Sequence, residues 1–261
     1  MRTSVFWLLT LVCLSGSSGQ THRYLPPPQK SVGFKIGTEI SYLKDLNFSP
    51  LNYLGVGLVG EVEYHHENVA RDIYFGRLSF SLSTLQTKAS TGFTSVKYGF
   101  NPEIGFLKNL KKPSSRFNYH LGGRYHTYLE FVDYGHTSSV TFFTLHSLDL
   151  VGRFSWRIRR RQLFHTELGL PVFGLLVRPP YTGWDKFIVD NQDSPIKVFF
   201  RGRWTSLNNF FGINWTVGYL YEVNRNWDFT LQYRFRAYQT DVLDPAKIFT
   251  SQVSIGANVK L

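Results

Sequence analysis

The amino-acid sequence predicts an all-β chain folded as an antiparallel transmembrane β-barrel of about 12 strands, with 10 as the fallback. Three observations carry this. Apolar and polar residues alternate strictly over long stretches, which sorts side chains onto two faces. The alternating runs reach about 13 residues, whereas soluble strands usually have about 5–6 and a tilted crossing of the hydrocarbon layer needs about 9–11. The only long apolar run, Val5 to Leu14, is shorter than the roughly 20 residues of a spanning helix, which excludes a helical membrane bundle.

The elements follow in order. Arg2, the apolar core from Val5 to Leu14 and the small residues Ser15 to Gly19 read as a secretory signal over 1–19, with cleavage between Gly19 and Gln20. Cleavage there removes the only Cys and the only Met. Disulfides, thiolate nucleophiles, Cys-ligated metals and haem with an axial Met are thereby excluded. Residues 20–31, with Pro26, Pro27 and Pro28, read as an extended leader, and 32–261 as the barrel.

Strands are placed at 32–43, 52–65, 72–84, 93–106, 117–131, 139–156, 162–176, 184–190, 196–207, 210–223, 227–240 and 248–261. The clearest puts Phe211, Ile213, Trp215, Val217, Tyr219 and Tyr221 on one face and Gly212, Asn214, Thr216 and Gly218 on the other, with Leu220 as the exception. Asn224, Arg225 and Asn226 then turn the chain into a second alternating strand, making an antiparallel hairpin. The short stretch 184–190 is the weakest strand. The stretch 196–207 is continuous with its successor if Leu207, Asn208 and Asn209 form a bulge rather than a turn, which gives the ten-strand count.

Alternation alone also admits a secreted sandwich or a lipocalin-like barrel. The apolar faces are rich in aromatics, with Tyr64, Tyr221 and Trp227 near strand ends where an interfacial girdle would sit. A last strand at the chain terminus also needs closure to hide its edge. On these residues the chain resembles bacterial outer-membrane β-barrel proteins, in the aromatic, turn-rich style of Bacteroidota-type organisms. The resemblance is one of class and covers nearly the whole mature chain. It implies a cell outer-membrane location, with both termini in the periplasm. Members often end in an aromatic residue, where this sequence has Leu261.

A net charge of +11 beside 43% hydrophobic residues excludes a disordered basic tail. The charge is spread through the strands of an exported chain rather than gathered on a recognition helix, so nucleic acid is not the expected partner. The polar faces carry an expected lumen network of Glu39, Glu61, Glu63, Arg77, Arg124, Glu130, Asp149, Arg153, Arg234 and Arg236, with Arg201 and Arg203 added to the basic side. Inward charges in a barrel of this size must pair or be wetted.

His120, Arg124, His126 and Glu130 share one face, a set that could serve acid/base work or hold a metal. They span about 30 Å and cannot converge without neighbouring strands. His136 and Ser138, in an expected external loop, are the other weak catalytic candidates alongside His126 and Glu130. His65, His66 and Glu67 lack the spacing of a zinc site. No metal and no cofactor are expected. Arg157, Arg159, Arg160 and Arg161 form a run suited to lipid headgroups or an acidic partner.

The expected role is that of a structural or accessory subunit of a larger outer-membrane assembly. Its expected partners are outer-membrane lipid or lipopolysaccharide and other proteins. A lipid-modifying hydrolase or acyltransferase and a small diffusion channel are the alternatives.

Overall fold

The computed structural model describes residues 29–88, 90–110, 116–135, 140–178, 199–242 and 244–261. The expected signal segment and most of the leader therefore lie outside the described residues. Among the described residues there are eleven strands: β1 (Gln29–Asp45), β2 (Ser49–Glu67), β3 (Ile73–Thr87), β4 (Ser90–Asn109), β5 (Phe117–Asp133), β6 (Val140–Arg159), β7 (Gln162–Val177), β8 (Arg203–Ser206), β9 (Phe210–Glu222), β10 (Trp227–Thr240) and β11 (Ala246–Lys260). Each pairs antiparallel with its neighbour around the ring, and β1 meets β11 from Ser31↔Lys260 to Asp45↔Ala246. Among the described residues the long strands close into a ring, and β8 alone has a single partner, β7.

The ring has ten positions rather than twelve, with β8 as an extra piece. β8 pairs antiparallel with the end of β7 (Phe173↔Ser206), and β9 pairs antiparallel with its start (Gly169↔Asn214). Two strands antiparallel to the same strand run the same way, so β8 and β9 are successive parts of one descending wall. Between them Leu207, Asn208 and Asn209 loop out, tied by Asn209 N to Ser206 O (3.2 Å) and Ser206 N to Asn209 Oδ1 (3.1 Å). The interruption faces Pro171, which has no N–H to continue the ladder, and a register shift where Asp149 pairs with Pro171 after Leu148 pairs with Phe173. The expected strand at 184–190 lies outside the described residues.

Outward positions are apolar. Phe34, Ile36, Ile40, Leu54, Val56, Leu58, Phe80, Leu82, Ile104, Leu148, Leu150 and Ile255 are each at least half exposed. Among the described residues no helix is long and apolar enough to cross a membrane. A continuous apolar outer wall on a closed sheet needs lipid as its solvent.

Both ends of the described chain meet at one rim, where Leu261 N donates to Lys30 O (2.9 Å). We term this the terminal rim and the opposite one the far rim. Tyr64, Tyr74, Trp156, Tyr221 and Trp227 occupy strand ends at the terminal rim. The tight connection there between β9 and β10 is fixed by Asn224, whose Oδ1 accepts from the backbone N–H of Asn226 (2.8 Å) and Trp227 (2.9 Å).

Candidate functional site

The interior divides along the barrel axis into three layers. The middle layer is ionic. On β3, the inward parity of Arg77 aims its guanidinium at β7, where it contacts Glu167 twice (2.8 and 3.2 Å), while its Nε donates to Glu63 (3.0 Å). Arg236 of β10 reaches Glu103 of β4 (3.2 Å), five positions around a ring of ten and so diametrically opposite. Arg234 binds Glu61 (2.6 Å), Arg124 binds Asp149 (2.6 Å) and Glu103 (3.1 Å), and Lys97 bridges Glu39 (2.5 Å) and Glu130 (3.0 Å). A pair that joins opposite walls leaves no straight aqueous path between them.

The far-rim layer is apolar. Leu43, Tyr53, Leu85, Tyr128, Val132, Phe143, Leu145, Leu176, Phe210, Tyr238 and Ile248 form one buried cluster. Across it the rings of Tyr128 (β5) and Tyr238 (β10) lie 4.8 Å apart. Phe48, from the β1–β2 turn, stacks on Tyr134 at 4.0 Å. Burial beneath these rings raises the Tyr134 phenol above its ordinary pKa, so it stays a neutral packing ring. Arg178 ties three rim connections together, donating to Val242 O (2.7 Å), Asp244 O (2.6 Å) and Asp45 (2.5 Å).

The terminal-rim layer is a recess of about 120 Å³, lined by residues that include Lys35, Glu63, His65, Arg153, Arg157, Arg160, Arg161, His165, Leu220, Asp228 and Lys260. Leu220, the one exception in the alternation of β9, is inward because it forms part of this wall.

The structure places the residues singled out from sequence as follows. Glu39, Glu61, Glu63, Arg77, Arg124, Glu130, Asp149, Arg153, Arg234 and Arg236 all face the lumen, each with an oppositely charged side chain within 4 Å. Arg201 and Arg203 do not join Arg234 and Arg236, because the chain leading into β8 lies at the far rim, where both arginines are exposed. His126 is fully enclosed, with its Nδ1 3.8 Å from Asp149 and neither ring nitrogen hydrogen-bonded. Glu130 is held by Lys97 and by the hydroxyl of Tyr128. Neither is accessible to a substrate.

His136 and Ser138 lie outside the described residues. His65 lines the recess while His66 faces outward beside Tyr74, so the two are not brought together. Among the described residues no group of three His, Cys, Asp or Glu is placed to hold a metal ion. Of the arginine run, Arg157, Arg160 and Arg161 line the recess and Arg159 is exposed outside it.

Sequence reasoning missed Glu103, Glu167 and the Arg178–Asp45 tie. The first two share the inward parity of their strands, which was a usable signal; their partners become visible only once the ring closes. It also missed an outward cluster in which His146 Nδ1 meets the hydroxyls of Thr127 (3.0 Å) and Tyr125 (3.0 Å) while its Nε2 meets Phe199 O (2.9 Å).

No family model matches the chain, and no curated protein matches it. Among solved structures it is similar to the outer membrane protease OmpT from Escherichia coli (6% identity, TM-score 0.49, covering 93% of this chain and 99% of that one). It is also similar to the translocator domain of the autotransporter NalP from Neisseria meningitidis (9%, 0.46, 87% and 88%). A third is the transport unit of the autotransporter AIDA-I from Escherichia coli (6%, 0.43, 95% and 94%). A single chain closed into an even number of antiparallel strands, apolar outside and ion-paired within, has the architecture of the outer-membrane β-barrels, and the cell outer membrane is its location.

Proposed function

We propose that this barrel is a closed-lumen structural or accessory subunit of a larger outer-membrane assembly. The observation that carries the reading is the pair of seals in series, the cross-lumen ion pairs and the aromatic cluster above them. A barrel so filled offers its partners surfaces rather than a passage. Outer-membrane barrels have short periplasmic turns and longer extracellular loops. The longest interval between consecutive described strands, from the end of β7 at Val177 to the start of β8 at Arg203, begins and ends at the far rim, so the terminal rim faces the periplasm in this reading. The exposed Arg159 and its neighbours on the β6–β7 hairpin then offer positive charge to lipopolysaccharide or phospholipid headgroups, or to an acidic partner, at the inner surface. The aromatic, turn-rich strands fit a Bacteroidota-type source.

The test is a pull-down of the tagged protein from its native membrane in gentle detergent, with mass spectrometry of stoichiometric companions. A reproducible partner set is the expected result, and a lone monomer overturns the reading. One observation favours a second reading, a lipid-modifying enzyme. Thr127 lies within hydrogen-bond reach of His146, which is oriented in turn by Phe199 O, on the lipid side of the wall. Release of fatty acid from labelled outer-membrane lipid, abolished in Thr127→Val, would support it.

A further inference from the structure

We propose that the recess at the terminal rim is a binding site for a phosphate group, borne by a soluble ester or by a lipid headgroup. Seven cationic and four anionic side chains line it. The four acids are already engaged. Glu63 binds Lys35 and Arg77, Glu67 binds Arg71 (2.7 Å), and Glu222 and Asp228 both bind Lys260 (3.2 and 2.8 Å). The surplus charge is therefore positive and sits on the β6–β7 side.

Arg153 is its deepest member. It is only 8% exposed, its Nε has no hydrogen-bond partner, and its nearest carboxylate, Glu167 at 3.7 Å, is doubly bonded to Arg77. Beside it His165, also 8% exposed, has an unpartnered Nδ1. The ring of His165 is accommodated by Gly218, where an added Cβ would lie 2.2 Å from the imidazole. A buried N–H without an acceptor is costly, as at Arg153 Nε, and an anion bringing several acceptor oxygens removes that cost, accepting from His165 Nδ1 as well when that nitrogen carries the ring proton.

Chemistry and size select the ligand. Guanidinium forks match the tetrahedral oxygens of phosphate. Arg153, Arg157 and Arg161 supply three of them around a recess of about 120 Å³, which suits a compact anionic group rather than an extended acidic chain. The adjoining leader does not supply the missing charge, since residues 20–28 contain no Asp or Glu. The far-rim cluster closes the other end, so the ligand enters from the terminal rim.

The test uses the full chain purified in zwitterionic detergent, titrated calorimetrically at low and at physiological salt with inorganic phosphate, glycerol phosphate and short-chain phosphatidate. Saturable binding is expected, weakened about tenfold or more in Arg157→Gln and in Arg161→Gln and unchanged in Arg225→Gln, an exposed arginine of the β9–β10 turn that does not line the recess. These rim variants leave the central network intact, and heat-modifiable migration on gels confirms that each is folded. Preference for phosphatidate identifies a headgroup as the source, and equal or better binding of glycerol phosphate identifies a soluble ester; both support the site. Absence of saturable binding at millimolar ligand, or equal weakening by Arg225→Gln, overturns it.

Discussion

If the lumen is closed by contacts between opposite walls, two residues far apart in sequence and not on adjacent strands must be energetically coupled. Arg77 and Glu167 provide the sharpest case, since β3 and β7 do not pair and the two side chains meet only across the interior, at 2.8 and 3.2 Å. Replacing Arg77 by Met removes the guanidinium and leaves Glu167, and also Glu63, with less compensation. Breaking a buried pair by removing one partner costs about 3–5 kcal/mol. The lower end applies here, because Glu167 keeps Arg124 at 3.5 Å and Arg153 at 3.7 Å. Glu167→Gln alone strands Arg77 less, as Glu63 and Glu103 remain beside it, and about 2–3 kcal/mol is expected. In the double variant the uncompensated carboxylate is gone, so the combined cost falls short of the sum by about 2 kcal/mol, within the range of directly contacting pairs. The assay is reversible urea unfolding of the four proteins in phospholipid vesicles, followed by tryptophan emission. Additivity to within about 0.5 kcal/mol would mean that the pair does not touch, and the closed lumen would fall with it.

Other expectations follow from the same geometry. The wild-type barrel shows no single-channel steps in planar bilayers, and Tyr128→Ala combined with Tyr238→Ala stays silent because the ion pairs below remain; conductance in that variant would show that the aromatic layer is the only seal. Ile36→Arg on the outer wall costs about 2–4 kcal/mol in unfolding from bilayers, as a charge near the midplane of a lipid-facing wall should; a change within about 0.5 kcal/mol would mark that position as water-facing. Gly37→Val fails to assemble, since its Cβ would lie 2.0 Å from Val253 O, whereas Gly60→Val, with nothing within 4 Å, assembles normally. Folding yield by heat-modifiable migration compares the two. Arg178→Ala loosens the far rim, read as faster cleavage by trypsin added to intact cells, with unchanged cleavage counting against the tie to Asp45, Val242 and Asp244.

Much of the wall is a local property and could be read from the chain directly. In β9 and β10 the period of two assigns nearly every side chain to its face, from Phe211 to Tyr221 outward and from Asp228 to Arg236 inward. Register with distant strands is not local. The pairing of Glu103 with Arg236 depends on how many strands lie between them in each direction around the ring. Strand count was the harder problem, because Leu207, Asn208 and Asn209 have the composition of a hairpin turn yet serve here as a break within one wall. That break moved Arg201 and Arg203 out of the lumen, where a twelve-strand register would have put them. The outward His146 cluster escaped notice because its partner, Phe199 O, is a backbone group, which side-chain identity does not advertise.

The seam between β1 and β11 runs through fifteen facing residue pairs and joins stretches separated by most of the polypeptide. A ring closed in this way cannot be finished piecemeal. Until the last strand arrives, the growing sheet carries two raw borders, each long enough to recruit a neighbour's strand, and the loop to be closed is nearly the whole chain. Closure therefore comes as a single late event that brings both borders together, and any truncated copy would be left as an open, adhesive sheet.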